Sequence, residues 1–329
     1  ADTSIAWTDK VWNPTRGCSI VSAGCKNCYA MRQAHRFSGS GGKYEGMTEL
    51  GKHGPRWTGK VALVPEKLEE PLRWRKPKRI FVNSMSDLFH ESLSDEQIDQ
   101  VFAVMALAPR HTFQVLTKRP ARMRAYLSAR ETPLRLFGEH ARRLADAVLV
   151  GDRMSIPWPI ANVWLGVSVE DQETADERIP VLLETPAGRR FVSYEPALGP
   201  VHFGTRDHSW LSCGACRHGT DGNGCDRAEA ALSVHRHGID WVIVGGESGP
   251  RSRPFDIEWA RSTVRQCKAA GVACFVKQLG ARPFDVHTTC AETHEPEECW
   301  PKGTLVDGHE VQLCDRAGAD PSEWPADLR

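Results

Sequence analysis

The sequence predicts an α/β protein built on a parallel barrel, partial or complete. Three observations carry this: short apolar, β-branched runs recur along the chain, amphipathic segments alternate with them, and polar clusters follow each run. The runs span residues 79–83 (RIFVN), 112–116 (TFQVL), 162–169 (NVWLGVSV), 190–193 (RFVS), 241–244 (WVIV) and 273–277 (ACFVK). Each is too short for a helix and lacks clean polar alternation, as expected of strands covered on both faces. Between them, residues 94–107 open with Ser94 three positions before Gln97, a capping-box arrangement, and set Ile98, Val101, Phe102 and Met105 on one face. Residues 173–184 and 257–270 show similar spacing, with Gly271 as a stop for the latter. Alternating strands and helices imply parallel pairing through right-handed crossovers.

A chain of 329 residues exceeds the common single-domain size of about 100–200, although one barrel often takes about 250. Residues 1–283 are expected to form the barrel, with an insertion at about 204–238, and residues 284–329 an extension packed on it. Residues 38–59, rich in glycine and charge, read as a long surface excursion, and residues 129–159 contain a basic helix-like stretch. No run approaches the roughly 18 apolar residues of a membrane span, and the opening ADTSIAWTDK resembles no secretory signal. A cytoplasmic protein without a membrane role is expected. Lys plus Arg and Asp plus Glu number 42 each, so the molecule as a whole has no charge bias toward polyanions.

Eleven cysteines, an odd number, fit metal ligation better than a disulfide framework in that compartment. The first group, GCSIVSAGCKNCYA, spaces Cys18, Cys25 and Cys28 as C-x6-C-x2-C within a loop at 17–29. Three thiolates suit either zinc or an iron–sulfur centre. Zinc needs a fourth protein ligand, for which His35 is at hand. A [4Fe–4S] cluster on three thiolates leaves one iron free for the amino and carboxylate groups of S-adenosylmethionine. The second group, Cys213, Cys216 and Cys225 with His208 or His218, reads first as zinc, then as an auxiliary cluster, then as free thiols. Cys267 and Cys274 read as core thiols. Cys290, Cys299 and Cys314, with His287 and His294 nearby, are spaced irregularly and read as free or buried thiols ahead of a further metal site.

Several blocks resemble a bacterial and phage family of unknown function: IAWTDKVWNPTRGC, GCKNCYA, LEEPLRWRKPKRIFVNSMSDLFHE, FQVLTKRPARM, NVWLGVSVEDQETADERIP, FVSYEPALGP, DWVIVGGESGPRSRPF and GADPSEWPADLR. That family in turn resembles radical S-adenosylmethionine enzymes. Spore photoproduct lyase is nearest in style, since it too has a tyrosine directly after the third cysteine, as Tyr29 stands here. The resemblance implies a barrel of that type and a [4Fe–4S] cluster with S-adenosylmethionine. The common spacing is C-x3-C-x2-C, whereas the first gap here is six.

Active-site groups of such barrels project from the C-terminal strand ends. Here those ends carry Asn83, Ser84, Ser86 and Asp87; Thr117, Lys118 and Arg119; Ser168, Glu170 and Asp171; Ser193 and Glu195; Gly245, Gly246, Glu247 and Ser248; and Lys277 with Gln278. The cofactor-binding set expected from them is Tyr29, Ser84, Asp87, Lys118, Ser168, Glu170, Glu195, Gly245, Gly246 and Glu247. Ser168 and Glu170 suit ribose hydroxyls, Lys118 and Arg119 a carboxylate or phosphate, and the glycines a close-lying ligand. Glu195 and Glu247 also have a structural reading, paired with Arg190 or Arg251. The resemblance implies an enzyme generating a 5′-deoxyadenosyl radical, and the photoproduct lyase style together with the runs Arg73, Arg75, Lys76, Lys78, Arg79 and Arg119, Arg122, Arg124 makes a nucleic-acid base the first substrate, the alternative for those runs being solvated helix faces. A partner protein is left open. The alternative is a non-catalytic, zinc-stapled nucleic-acid-binding protein with tryptophans as stacking platforms.

Overall fold

All six expected strands form, and a seventh precedes them. The structure is a computed structural model describing residues 3, 5–52, 54–129, 158–205, 209–211, 238–285 and 328. The strands are β1 (Lys10–Trp12), β2 (Arg79–Val82), β3 (Thr112–Thr117), β4 (Val163–Val169), β5 (Arg189–Tyr194), β6 (Trp241–Gly245) and β7 (Ala273–Gln278). Each pairs in parallel with the next in sequence, so the sheet order is the chain order. A doubly wound sheet would reverse direction part way. Unbroken progression is instead the winding of an α/β barrel, and among the described residues β1 and β7 do not pair, so the barrel is partial.

Helices α1 (Tyr29–His35), α2 (Asp95–Leu107), α3 (Pro120–Ser128), α4 (Gln172–Leu183) and α5 (Ile257–Ala270) connect or flank the strands. The Ser94–Gln97 capping box closes at both ends, Gln97 N donating to Ser94 Oγ (3.3 Å) and Ser94 N to Gln97 Oε1 (2.9 Å). Asp171, read from sequence as a polar strand end, caps α4 by accepting from Thr174 N (3.0 Å). Gly271 ends α5 at φ +69°, the left-handed region glycine enters without strain.

Alternation along each strand builds two different faces. Ile80, Val82, Phe113, Val115, Leu165, Val167, Val192 and Val242 point outward and join Ile98, Val101 and Phe102 of α2 and Ile179 of α4 in the main core. Phe81, Phe191 and Ile243 point inward with Trp164, Trp241 and Phe275, around Trp7. The Trp7 ring lies 4.7 Å from Phe81 on β2 and 5.9 Å from Trp241 on β6. Four strand spacings in a flat sheet would separate those strands by about 19 Å. One indole touching both therefore requires the sheet to curl, and aromatic residues plug the lower half of its concave side. Trp7, Trp12, Trp57 and Trp210 are buried, so the tryptophans expected as stacking platforms serve largely as core.

Residues 38–59 hold more structure than a surface excursion. Thr48–Gly51 and Gly54–Trp57 pair as a hairpin, and Tyr44, Met47 and Trp57 pack with Ala30, Met31 and Ala34 of α1 in a small separate core. Cys267 is fully buried and Cys274 partly so, as expected of core thiols. Leu328 packs in the main core, which draws the end of the described chain onto the barrel. The stretch 130–157 and the middle cysteine group with His208 and His218 lie outside the described residues. So do Cys290, Cys299, Cys314, His287 and His294. Among the described residues no helix is long and apolar enough to cross a membrane.

Candidate active site

Above the aromatic plug the inward side chains change character. Leu116 gives way to Lys118, Trp164 to Ser168, Phe191 to Ser193 and Glu195, and Phe275 to Lys277. These groups are joined across strands. Lys118 Nζ donates to Ser168 Oγ (2.7 Å) and to Glu170; Ser168 Oγ donates to the Glu195 carbonyl (3.0 Å); and Ser193 Oγ donates to Glu195 Oε2 (3.2 Å). Lys277 Nζ stands 2.9 Å from Glu195 Oε1, close enough for an ion pair but off the hydrogen-bonding direction, so that oxygen has no aligned donor among the described residues.

The cysteine loop between β1 and α1 lies across this polar mouth, fixed to several strand ends. Thr15 N donates to Asn83 Oδ1 (3.3 Å) after β2. Ser19 Oγ receives Arg119 Nη2 (2.6 Å) after β3 and contacts His90 Nε2 (3.0 Å). Ser22 Oγ donates to Glu170 Oε1 (2.9 Å) after β4. After β6, Asn27 Nδ2 donates to Glu247 Oε2 (2.9 Å), and Arg253 Nη1 donates to the Ala23 carbonyl (2.9 Å). Gly24 sits so tightly on Glu170 that a Cβ there would fall 2.4 Å from Oε1, so any side chain would lift the loop.

Cys18, Cys25 and Cys28 are half-buried and close enough to one another that each charged thiolate would repel the others. Burial, with Asp87 adding and Arg119 opposing, pushes the Cys18 thiol up to about 12. Burial also raises Cys28, which caps α1, although the backbone N–H groups of Met31 and Ala30 and the Lys118 ammonium pull the other way. Such thiols ionise when a bound cation compensates the charge, as in any thiolate metal site. His35, the expected fourth zinc ligand, points elsewhere: its Nδ1 lies 3.1 Å from Thr48 Oγ1 in the hairpin. Among the described residues no three His, Cys, Asp or Glu side chains are gathered to clasp one metal ion. Sulfurs on a single tetrahedral zinc stand about 3.8 Å apart, given Zn–S of about 2.3 Å. The thiolates of a four-iron cluster each bind a different iron and are spread wider. Cys18, Cys25 and Cys28 offer three soft ligands, a donor set that suits an iron–sulfur centre and zinc alike.

Several expected ligand-binding residues prove to be occupied. Glu170 is wholly buried and bound by Lys118, Ser22 and Arg178 (Nη1–Oε2 3.2 Å), leaving no face for a ribose. Arg119 is buried between Asp87 (3.0 Å) and Glu91 (2.8 Å), and Asp87 also accepts from Thr117 Oγ1 (2.8 Å), so neither is free for a ligand. Gly246 is approached by the chain's own backbone, a Cβ there lying 2.5 Å from the Leu279 oxygen, and Gly245 by Glu195 and Gln278. Ser84 uses its hydroxyl on Asn13 (3.3 Å) and its carbonyl on the Tyr29 phenol (2.7 Å). Tyr29 is 53% exposed, yet burial, followed by the nearby Cys28, raises its phenol, as expected of a ring lining a recess. Lys118, Ser168, Glu195, Lys277 and Tyr29 thus remain as the groups facing the mouth. Sequence reasoning missed Ser19, Ser22, Asn27 and Arg253, although three of these four polar residues lie between the cysteines.

Glu247 pairs with Arg253, not Arg251, through Nη2–Oε1 (2.7 Å) and Nε–Oε2 (3.1 Å), and Glu195 pairs with Lys277, not Arg190. Burial alone would raise the Glu247 carboxyl, but hydrogen bonds from Arg253 and Asn27 outweigh it and hold the group below the usual carboxylate range. A depressed carboxyl contributes stability at pH above its unfolded value and loses it as pH falls through the folded one. Glu247→Ala should therefore lower the melting temperature at neutral pH and flatten its decline through the acid range, since alanine takes up no proton. Thermal unfolding followed at stepped pH checks both; an unchanged neutral melting temperature would return Glu247 to a ligand role.

The arginines at the ends of the first basic run and those of the second are paired, while Arg75, Lys76 and Lys78 form no ion pair among the described residues. Arg122 meets Asp95, Arg124 meets Glu184, Arg73 meets Glu69 (3.5 Å) and Arg79 meets Asp9 (3.1 Å). Arg79 begins β2, at the strand end opposite the cysteines.

A family model described as "Protein of unknown function (DUF5131)" matches residues 2–311, and the chain belongs to that family. No curated protein and no solved structure matches it.

Proposed function

We propose that Cys18, Cys25 and Cys28 hold a [4Fe–4S] cluster and that the protein is a radical S-adenosylmethionine enzyme. One observation carries this reading: a three-thiol loop is tied over the C-terminal mouth of a parallel partial barrel, above a ring of polar side chains that spans β3 to β7. A cluster held by these three thiols and reduced by an external one-electron donor would supply reductive cleavage of S-adenosylmethionine to methionine and a 5′-deoxyadenosyl radical able to take hydrogen from a substrate.

The chain's own residues have three tasks. Ser19, Ser22 and Asn27 hold the loop so that the thiols face the mouth. Lys118, with one ammonium shared between Ser168 and Glu170, offers a positive group beside Cys28 suited to a carboxylate. Glu195 and Lys277 present an acceptor and a donor side by side on the far strands, a pairing suited to the polar edge of a substrate. The aromatic plug below seals the base and keeps water from entering through the barrel. The substrate class we propose is a nucleic-acid base. The second cysteine group, Cys213, Cys216 and Cys225 with His208 or His218, is proposed to hold zinc.

Anaerobic purification and metal analysis test the reading. Iron with broad absorption at roughly 400 nm is expected. S-adenosylmethionine should perturb the electron paramagnetic spectrum of the reduced centre, and dithionite should then release 5′-deoxyadenosine. A colourless protein carrying only zinc would favour the stapled binding protein, and a loaded cluster blind to S-adenosylmethionine would remove that cofactor.

A further inference from the structure

We infer that the unit formed by residues 26–60 is a docking surface for single-stranded nucleic acid, leading along α1 to the mouth at Cys28. Within a chain balanced at 42 charges of each sign, this segment carries Lys26, Arg32, Arg36, Lys43, Lys52, Arg56 and Lys60 against only Glu45 and Glu49. Six of the seven cations are exposed, Arg32 being half-buried. None forms an ion pair within the described residues, which sets them apart from Arg73, Arg79, Arg119, Arg122 and Arg124, though not from Arg75, Lys76 and Lys78. Unpaired cations gathered on one unit are the electrostatic footprint of a polyanion partner.

The arrangement has direction. Tyr29, Arg32 and Arg36 recur at i, i+3 and i+7, so they share one face of α1, while Ala30, Met31 and Ala34 bury the other against the hairpin. That face starts at the recess beside Cys28, where the Tyr29 phenol reaches the Ser84 carbonyl, and ends at Phe37, which is 53% exposed. Lys43 adjoins the same end, since Tyr44 N donates to the Phe37 carbonyl (3.1 Å). Arg32 lies against Gly249 on the loop after β6, so the track touches both sides of the mouth. Cations alternating with exposed rings suit a single strand, whose phosphates follow the charge and whose unpaired bases stack on the rings. That the bound strand is also what the mouth acts on rests on the function proposed above; binding itself requires no cluster.

The test is anisotropy of a short labelled single-stranded oligonucleotide titrated with the full chain at stepped salt. Arg36→Glu/Lys43→Glu should weaken binding at least tenfold and flatten the salt slope by about 1.4, at roughly 0.7 per phosphate contact. Arg75→Glu/Lys76→Glu changes net charge equally on the exposed run before β2 and should leave both quantities as in the wild type. Phe37→Ala should weaken binding roughly tenfold with the slope unchanged, the mark of lost stacking. Equal loss in both double variants would reduce the effect to net charge and overturn the assignment. Absence of wild-type binding at low salt, or equally tight binding to vesicles of anionic lipid, would overturn it too. Protein stripped of iron should bind the strand unchanged. Protein that carries no iron even when purified anaerobically, yet binds the strand, would refute the cluster and spare the surface, while a loaded cluster without strand binding would do the reverse.

Discussion

The Cys25→Ala variant is expected to retain no iron, no absorption in the cluster region and no cleavage of S-adenosylmethionine, while folding normally. Cys25 closes the short 3-10 turn Ala23–Cys25 and is one of three mutually close thiols, so its loss leaves two ligands where the centre needs three. No substitute stands ready. His35 is engaged with Thr48, and His90 accepts from Ser92 N at Nδ1 (3.1 Å), which leaves Nε2 as the donor to Ser19. The fold should survive because Cys25 is only half-buried and the loop keeps its anchors through Ser19, Ser22 and Asn27. Cys213→Ala serves as the companion and should leave the first centre's spectrum intact. Equal loss of the same iron signal in both would mean that the two cysteine groups share one centre. Full iron in Cys25→Ala would take this thiol out of the ligand set.

The strands were legible because their burial on both faces removes polar residues from short runs, and that signal is local. β1 escaped notice since KVW is three residues between the turn at Ala6–Trp7 and Asn13–Pro14; it is a strand by virtue of its partner β2, 70 positions away in sequence. The polar strand ends were equally visible, and they do gather at one mouth. Their roles were not legible, because a glutamate's role depends on who reaches it. Glu170 is met by Arg178 eight residues on, Lys118 52 residues back and Ser22 148 residues back. Only the first is within the range of a sequence pattern. The arginine runs misled for the same reason: their charges are plain in the sequence, while the partners that neutralise them, Asp87, Asp95 and Glu184, are set by tertiary packing. Conversely, the charge excess of residues 26–60 lay open to simple counting but was obscured by a glycine-rich composition that reads as loop.

Glu170→Ala should be the most destabilising single change in the site. The carboxylate has no exposure and compensates Arg178, itself 3% exposed, and Lys118. Without it Arg178 keeps the Ser168 carbonyl (2.8 Å) as its acceptor, and the buried guanidinium is left with only the exposed Glu177 at 3.8 Å as counter-charge. Breaking one side of a buried pair costs about 3–5 kcal/mol. At a few degrees per kcal/mol in a domain of this size, the melting temperature should fall by roughly 10 °C. Ser22 loses its acceptor and Gly24 its packing surface, so iron retention should fall with the melting temperature. Glu170→Gln separates charge from shape: its amide oxygen can still accept from Ser22 and Arg178, so the loop should stay seated at a smaller cost in stability. The cycle with Lys118→Met measures the coupling directly, and a coupling of about 1 kcal/mol or more is expected for groups in one buried network. If Glu170 instead served a ribose hydroxyl, Glu170→Gln would melt with the wild type, keep its iron and lose only affinity for S-adenosylmethionine. That outcome would return Glu170 to the ligand and assign the loop's support to Asn83, Arg119, Glu247 and Arg253.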